Sequence, residues 1–193
     1  MAMRLPVPRA SDVDDPAVVA RIRAGDERAF EDVVRGLGPG LAAFAVHLVQ
    51  SHAVAEELVQ DVFLRVWSAR DRLVVRDTLK TYLYRAVRNR ALNGARSRRV
   101  IAAWERTETV RLGHRDDLAE GERLVQRSQL AVAVQRAVAA LPARCREAFV
   151  LVRERGLSYA EAASVMGVST KTVDVQIGRA VKALRESLRG VWP

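Results

Sequence analysis

The residues whose types and spacing best fit a defined chemistry lie near the C-terminal end, where a short helix, a glycine turn and a second helix are predicted. Ser158 and Ser169 can each cap a helix, and Gly167 can adopt the left-handed conformation of a tight turn. A helix-turn-helix places its second helix in the major groove, where outward side chains reach base edges and phosphates. The candidate DNA contacts are Ser169, Lys171, Thr172, Asp174, Gln176, Arg179 and Lys182.

An ordinary helical hairpin with a glycine turn also fits this motif, so the distribution of charge matters. The formal net charge is +9, and 29 of the 32 basic residues are arginine, which suits phosphate and base-edge contacts. Residues 65–99 hold 11 basic and 2 acidic residues, and residues 125–193 hold 11 and 5. Residues 100–124 between them are acidic overall. Two separate contacts with a nucleic acid are therefore expected; the alternative is two solvated basic faces without a partner.

Two helices of the first half must position the remaining candidate side chains. The helix predicted over residues 78–99 has an apolar face toward the core and a cationic side with Lys80, Arg85 and Arg88. The helix predicted over residues 53–68 carries more apolar side chains than one core-facing stripe requires. We therefore expect its other side to be buried against a partner.

The composition fits an all-α protein of two small domains. Of 193 residues, 49% are hydrophobic and 28% charged, and no segment alternates with the period of two that a strand requires. We expect helical domains at 16–99 and 125–193, the second a helix-turn-helix domain. A flexible linker over 100–124 joins them, and a tail over 1–15 precedes them.

Local signals divide the first domain further. Residues 16–35 are predicted to be helical with a break at Gly25 and Asp26, where Asp26 can cap the second part. The three glycines and one proline of residues 36–40 predict a turn before a helix over residues 41–49.

Several function classes are disfavoured by the residue inventory. No stretch approaches the roughly 18 apolar residues of a membrane span, and the first 15 residues lack the apolar run of a signal peptide. Cys145 is the single cysteine, which excludes an internal disulfide and favours a reducing, cytoplasmic location. His47 and His52 are five residues apart and have no third ligand nearby. We expect no cofactor, no metal and no catalytic residue, with Cys145 as a small buried hydrophobe.

Five segments in order resemble the extracytoplasmic-function group of bacterial sigma factors, the dissociable promoter-recognition subunits of RNA polymerase. Together they identify residues 20–188 as a member, since their order and spacing match the family and an acidic linker separates the halves. The segments are 24–30 (AGDERAF), 55–67 (AEELVQDVFLRVW), 82–89 (YLYRAVRN), 141–149 (LP and REAF), and 157–163 (LSYAEAA) with 172–173 (TV) and 179–180 (RA).

The resemblance implies partners and roles for both domains. Core RNA polymerase is expected to dock on Glu57, Gln60, Asp61 and Leu64. The melted promoter strand is expected to contact Arg76, Lys80, Tyr82, Arg85, Arg88 and Asn89, which supply cations and a place for an unstacked base. The helix-turn-helix is expected to read an upstream promoter element as duplex DNA. An anti-sigma factor covering the polymerase-facing surfaces is a candidate further partner.

The alternative is a two-domain transcriptional regulator that binds duplex DNA without joining the polymerase. Its first domain would sense a ligand or a protein. A sensor domain has no need of a strongly basic segment beside an apolar docking helix, so the N-terminal half discriminates between the two interpretations.

Overall fold

The computed structural model describes residues 16–105 and 125–189, with the side chains of residues 16–94 and 132–189. Within these residues the protein has eight α-helices and no β-strand, which confirms the all-α prediction. The tail over 1–15 and most of the predicted linker, 106–124, lie outside them. The helices are α1 (Pro16–Arg23), α2 (Glu27–Val49), α3 (His52–Ser68), α4 (Leu79–Glu105), α5 (Val125–Ala139), α6 (Ala143–Phe149), α7 (Tyr159–Met166) and α8 (Thr170–Leu188).

Helix α2 is the centre of the N-terminal domain and packs against α1, α3 and α4. Its start is set by Asp26, whose side chain accepts a hydrogen bond from the Ala29 N–H at 3.1 Å, as predicted. The ring of Phe44 is fully buried and lies 5.4 Å from the ring of Tyr84 on α4. These contacts fix the direction of α4, which carries the cationic side chains.

The predicted turn over residues 36–40 is wrong, because α2 runs through it without interruption. Pro39 removes one helical hydrogen bond, and the proline and glycines together disfavour a helix by several kcal/mol, about 3 for proline and about 1 for each glycine. Burial of Val33, Leu37, Leu41 and Phe44 on one face offsets this, at about 1.5–3 kcal/mol for each side chain. Tertiary packing therefore overrides the local signals.

The glycines of this segment permit close approach of neighbouring helices. A Cβ on Gly38 would lie 3.8 Å from the ring of Phe63, an ordinary contact. A Cβ on Gly40 would lie 2.8 Å from the hydroxyl oxygen of Tyr84, too close without movement. Burial raises the pKa of Tyr84 to about 12, so its phenol stays protonated at neutral pH.

This difference predicts opposite effects of two similar substitutions. Gly38→Ala is expected to raise the melting temperature by about 2–4 °C, since alanine favours a helix by about 1 kcal/mol and meets no obstacle. Gly40→Ala is expected to lower it. Calorimetry on both variants, with Gly40→Ala repeated in a Tyr84→Phe background, measures the effect. If Gly40→Ala lowered the melting temperature equally with and without the Tyr84 hydroxyl, the result would contradict the proposed contact.

Helix α4 extends beyond its predicted end at residue 99 and continues to Glu105. Residues 100–105, which the sequence assigned to the linker, are therefore helical, and Trp104 lies within this helix.

The C-terminal domain contains the predicted helix-turn-helix. Ser158 caps α7 in a capping box with Glu161, and Ser169 caps α8 by accepting from the Thr172 N–H at 3.1 Å. Gly167 joins the helices in a left-handed conformation, with φ +66°. The buried face of α8 consists of Val173, Ile177, Ala180 and Leu184. The prediction of this motif is confirmed in its two caps and its glycine turn.

By length and composition alone, α2 could also span a membrane. The helix packs against α3 and α4, however, and Leu41 and Phe44 are fully buried in the core. The first two turns of the helix also carry exposed charged residues, including Glu27 and Glu31. These features are those of an amphipathic core helix.

Candidate nucleic-acid and protein interfaces

The four residues assigned to polymerase docking lie on one face of α3, because they are spaced by three and four residues. Glu57 and Gln60 are exposed, and Asp61 is half-buried. Leu64 leaves 67% of its surface accessible. The structure thus brings an exposed apolar side chain together with polar and acidic neighbours.

Asp61 has an internal role that the sequence did not indicate. Its Oδ2 accepts hydrogen bonds from Arg65 Nε at 2.9 Å and from Arg90 Nε at 2.6 Å. Both hydrogen bonds lower the pKa of Asp61 below its ordinary value, and the bond from Arg65 has the larger effect. The carboxylate is therefore ionised at neutral pH. Arg90 lies on α4, so Asp61 connects α3 to the cationic helix α4.

A groove beside Leu64 extends the candidate docking surface onto α2. The docking groove has a volume of about 250 Å³ and is lined by Glu27, Phe30, Glu31, Phe63, Leu64 and Trp67. The rings of Phe30 and Trp67 lie 5.0 Å apart and form part of its wall. The guanidinium of Arg70 lies 4.4 Å from the centre of the Trp67 ring and makes a cation–π contact with it.

Sequence reasoning did not assign the α2 side of this groove to docking. The available signal was the three- and four-residue spacing of Glu27, Phe30 and Glu31, which places two acids around an aromatic ring on one helical face. The groove is therefore apolar with an acidic rim. Its chemistry fits an apolar segment flanked by basic side chains.

Five of the six residues assigned to the melted strand keep accessible surface, and Arg88 is the exception. Arg76 and Asn89 are exposed. Tyr82 is half-buried and packs against the apolar core, so part of its ring contributes to folding.

The other three, Lys80, Arg85 and Arg88, form the cationic face of α4, which lies against the C-terminal domain. Arg88 is 7% exposed and forms an ion pair with Glu147 of α6. Arg85 is half-buried, and its Nη1 lies 3.5 Å from Ser164 Oγ of α7. The sequence predicted the face correctly but could not predict what lies against it.

Glu161 is the charged residue of α7 nearest this face. Burial alone would raise the pKa of Glu161, but hydrogen bonds from Ser158, the positive charge of Lys80 and a hydrogen bond from Thr81 together lower it. Glu161 is therefore an ionised carboxylate at neutral pH. It belongs to the capping box of α7 and also contacts the cationic helix α4 through Thr81.

The residues assigned to the upstream element lie on the outward side of α8, on which Lys171, Asp174, Arg179 and Lys182 are exposed. Ser169 is the N-cap and is also exposed, while Thr172 is half-buried beside it. Exposed basic side chains along a helix that begins at Thr170 are typical of a major-groove recognition helix.

Two residues of this helix carry information that the sequence analysis did not provide. Gln176 is half-buried, and its Oε1 accepts a hydrogen bond from the Cys145 thiol at 3.0 Å, so its amide is anchored to α6. Val175, which the sequence analysis did not single out, is 43% exposed. The signal for Val175 was its register, because it is apolar but lies outside the buried stripe of Val173 and Ile177.

Two family models match the chain, one in each domain. Residues 33–101 match sigma-70 region 2, and residues 131–184 match sigma-70, region 4. These ranges contain the cationic helix and the helix-turn-helix, respectively.

Curated relatives and solved structures extend the similarity over nearly the whole chain. The ECF RNA polymerase sigma factor SigC of Mycobacterium tuberculosis is 30% identical over 178 residues, which cover 91% of this chain and 93% of the relative. The structure of CnrH in complex with the cytosolic domain of CnrY is 28% identical, with a TM-score of 0.66, over 92% of this chain and 98% of that one.

A third similar structure is that of the sigma factor RpoE in complex with the anti-sigma factor NepR from Bartonella quintana. It is 28% identical, with a TM-score of 0.61, over 79% of this chain and 91% of that one. With both sigma-70 domains matched in order and a full-length relative at 30% identity, this chain belongs to the extracytoplasmic-function group of the RNA polymerase sigma-factor family.

Proposed function

We propose that this protein is an alternative sigma factor that binds core RNA polymerase through the docking groove, holds the melted promoter strand with α4 and reads an upstream promoter element with α8. The observation that carries the proposal is the presence on one chain of an exposed apolar groove and two separate cationic helices. A regulator that acts without the polymerase could bind its ligand in the groove and duplex DNA with α8, but it would not need a strongly basic helix beside the groove. The groove and the cationic α4 together therefore favour a polymerase subunit.

The protein's role is binding rather than bond-making. Side chains of α8 can donate to and accept from base edges in the major groove, which fixes the upstream element relative to the enzyme. Cations of α4 can neutralise the phosphates of a single strand, and an unstacked base can be held against an aromatic ring. Binding of the separated strand stabilises the open promoter, and the polymerase performs the chemistry.

The same proposal gives a location and a class of inhibitor. Core polymerase and the chromosome are cytoplasmic in bacteria, so we place the protein there. A similar sigma factor is bound by an anti-sigma factor in its solved complex. We propose that an inhibitor of this class covers the docking groove here.

The deciding experiment adds the purified protein to bacterial core RNA polymerase that lacks any sigma factor, on a library of promoter fragments. Discrete transcripts sharing a two-part motif are expected. A protein that binds duplex DNA but neither joins core polymerase nor directs transcription would be a regulator of the alternative class.

Val175 is expected to read a thymine methyl group in the upstream element, since apolar side chains in the major groove contact that group. The thymines of the element are replaced by deoxyuridine one at a time. Replacement at one position should weaken holoenzyme binding roughly fourfold, which corresponds to the free energy of burying about one methyl group. Val175→Ala should abolish this difference. Thymine replacement outside the element is the control, and a Val175→Ala protein that still distinguishes thymine from deoxyuridine would contradict the assignment.

A further inference from the structure

The side-chain amide of Gln176 on α8 is held by the thiol of Cys145 on α6. The S–H of Cys145 donates to Gln176 Oε1 at 3.0 Å, and α6 packs along α8. Cys145 is only 5% exposed, whereas Gln176 is half-buried. The bond therefore connects a side chain of the domain core to one at the edge of the candidate recognition surface.

This bond does more for the glutamine than for the cysteine. A free thiol is commonly buried as a small hydrophobe, and its S–H is only a weak donor. A long side chain such as glutamine, in contrast, gives up much rotamer freedom when it is held in one conformation. The contact with Cys145 therefore matters chiefly for the position of the Gln176 amide.

The bond also decides which end of the amide is available. The Oε1 of Gln176 is turned toward α6 and engaged by the thiol. Its Nε2 has no partner among the described residues, and the one side-chain polar atom among them that is both buried and unpartnered is Arg155 Nε. The two N–H groups of Gln176 Nε2 are therefore open to solvent, and the amide presents its donors rather than its acceptor.

The position of Gln176 on α8 places these donors at the side of the recognition helix. At 3.6 residues per turn, Gln176 is rotated by about 100° from Val175, which lies opposite the buried stripe of Val173 and Ile177. A helix with its side chains is roughly 10–12 Å across and the major groove is about 12 Å wide, so the helix nearly fills the groove. Residues at the side of the helix then face the walls of the groove, where the phosphates lie.

We infer that Gln176 donates a hydrogen bond to one backbone phosphate of the upstream element, and that Cys145 is the residue that positions the Gln176 amide for this bond. The inference rests on the proposed role of α8 in duplex recognition. Phosphate oxygens are acceptors, so a side chain that presents donors matches them. In the opposite orientation the amide would turn its own acceptor, Oε1, toward the phosphate. The thiol holds Oε1 away from that position.

A neutral donor contributes differently from the cations of the same helix. Lysine and arginine gain affinity by releasing counterions from the duplex. A hydrogen bond from a fixed amide forms only within a narrow range of distance and direction, so it fixes the position of α8 along the groove. Because this bond releases no counterion, its contribution should persist as the salt concentration rises.

The test measures binding of the complete holoenzyme to a duplex promoter fragment at several salt concentrations. Gln176→Ala is expected to weaken binding about tenfold or more, the value of a hydrogen bond to a charged group, with the salt slope of the wild type. Ser187→Ala is the matched control, because Ser187 is a neutral, exposed side chain in the last turn of α8. It should bind like the wild type. Equal affinities of the Gln176 and Ser187 variants would overturn the inference.

Neutral methylphosphonates, introduced at single phosphates of the upstream element, locate the contact. At one phosphate the replacement should weaken wild-type binding about tenfold more than binding of Gln176→Ala, since both changes remove the same bond. At the other phosphates the two proteins should respond alike. If no phosphate distinguishes them, the inference fails. It fails equally if Gln176→Ala relaxes the preference at one base pair, because the amide would then read a base edge.

Substitutions of Cys145 test its positioning role. Cys145→Ala removes the donor and should weaken binding about fivefold, the cost of immobilising a long side chain, and should reduce the methylphosphonate effect at the same phosphate. Cys145→Ser keeps a donor and should restore both quantities to within about twofold of the wild type. A merely structural thiol would affect the melting temperature but leave the methylphosphonate effect unchanged. That result, or a serine variant that behaves like the alanine variant, would overturn the inference.

Transcription by the same holoenzymes, measured in parallel, separates this inference from the proposed function. Promoter-specific transcription by a Gln176→Ala holoenzyme that binds its promoter like the wild type would refute the phosphate contact and leave the sigma-factor role intact. Transcription that does not depend on the upstream duplex would refute the role of α8, and the contact with it. Absence of promoter-specific transcription from the wild type would refute the proposed function directly.

Discussion

Leu64→Arg is expected to weaken binding to core RNA polymerase about 100-fold and to leave the melting temperature unchanged. An apolar anchor seated in a partner's pocket contributes about 2 kcal/mol or more, and each 1.4 kcal/mol is tenfold in affinity. The arginine would in addition bury a charge in the apolar part of the interface. Folding should not change, because the side chain is 67% exposed in the free protein. Fluorescence titration of core polymerase without DNA measures the affinity.

Val74→Arg is the matched control for this substitution. Val74 is 68% exposed, it is also apolar, and it lies on the loop after the docking groove rather than in its wall. It receives the same side chain and should bind core polymerase like the wild type. Equal affinities of the Leu64 and Val74 variants would mean that the polymerase docks elsewhere on the chain.

The fold was largely predictable because the starts of four of the eight described helices are fixed by neighbours in sequence. Four helices begin at a side chain that accepts a hydrogen bond from the backbone N–H three residues later, namely Asp26, Ser51, Ser158 and Ser169. Such a local contact can be predicted from a short sequence pattern. The prediction for the middle of α2 failed because the deciding contacts come from residues that are distant in sequence. What decides between helix and turn there is the burial of Val33, Leu37, Leu41 and Phe44, partly against helices that lie far along the chain.

The candidate sites divide in the same way. Periodicity predicted which side of α4 and of α8 is cationic, since a helical face follows from spacing alone. The pairing of Arg88 with Glu147, the anchoring of Gln176 by Cys145 and the joining of α3 to α4 by Asp61 all depend on contacts between distant segments. Such contacts arise only once the domains pack, and no local pattern specifies them.

Arg179→Ala and Lys182→Ala are expected to weaken promoter binding in two distinguishable ways. Both side chains are exposed on α8, but Arg179 is one turn closer to the N-terminal end that enters the groove. Loss of an arginine fork on a guanine costs about 1–3 kcal/mol, which is about 5–150-fold, and relaxes the preference at that base pair. Loss of a phosphate contact weakens all sequences alike and lowers the salt slope by about one. Holoenzyme binding to the selected promoter and to its single-base variants, at several salt concentrations, gives both quantities.

Substitution of Asp174 tests base recognition by α8 at a second position of the helix. It is exposed on the same side of α8 and has no hydrogen bond or ion pair among the described residues, so its carboxylate has no internal function there. Near phosphates such a charge is unfavourable unless it accepts from a cytosine amino group. Asp174→Ala should therefore relax the preference at one cytosine while raising affinity for unrelated DNA, the reverse of the change expected from Lys182→Ala. If all three variants instead weakened every sequence equally and kept the same base preferences, α8 would contact the backbone alone, and the upstream element would have to be read by another part of the chain.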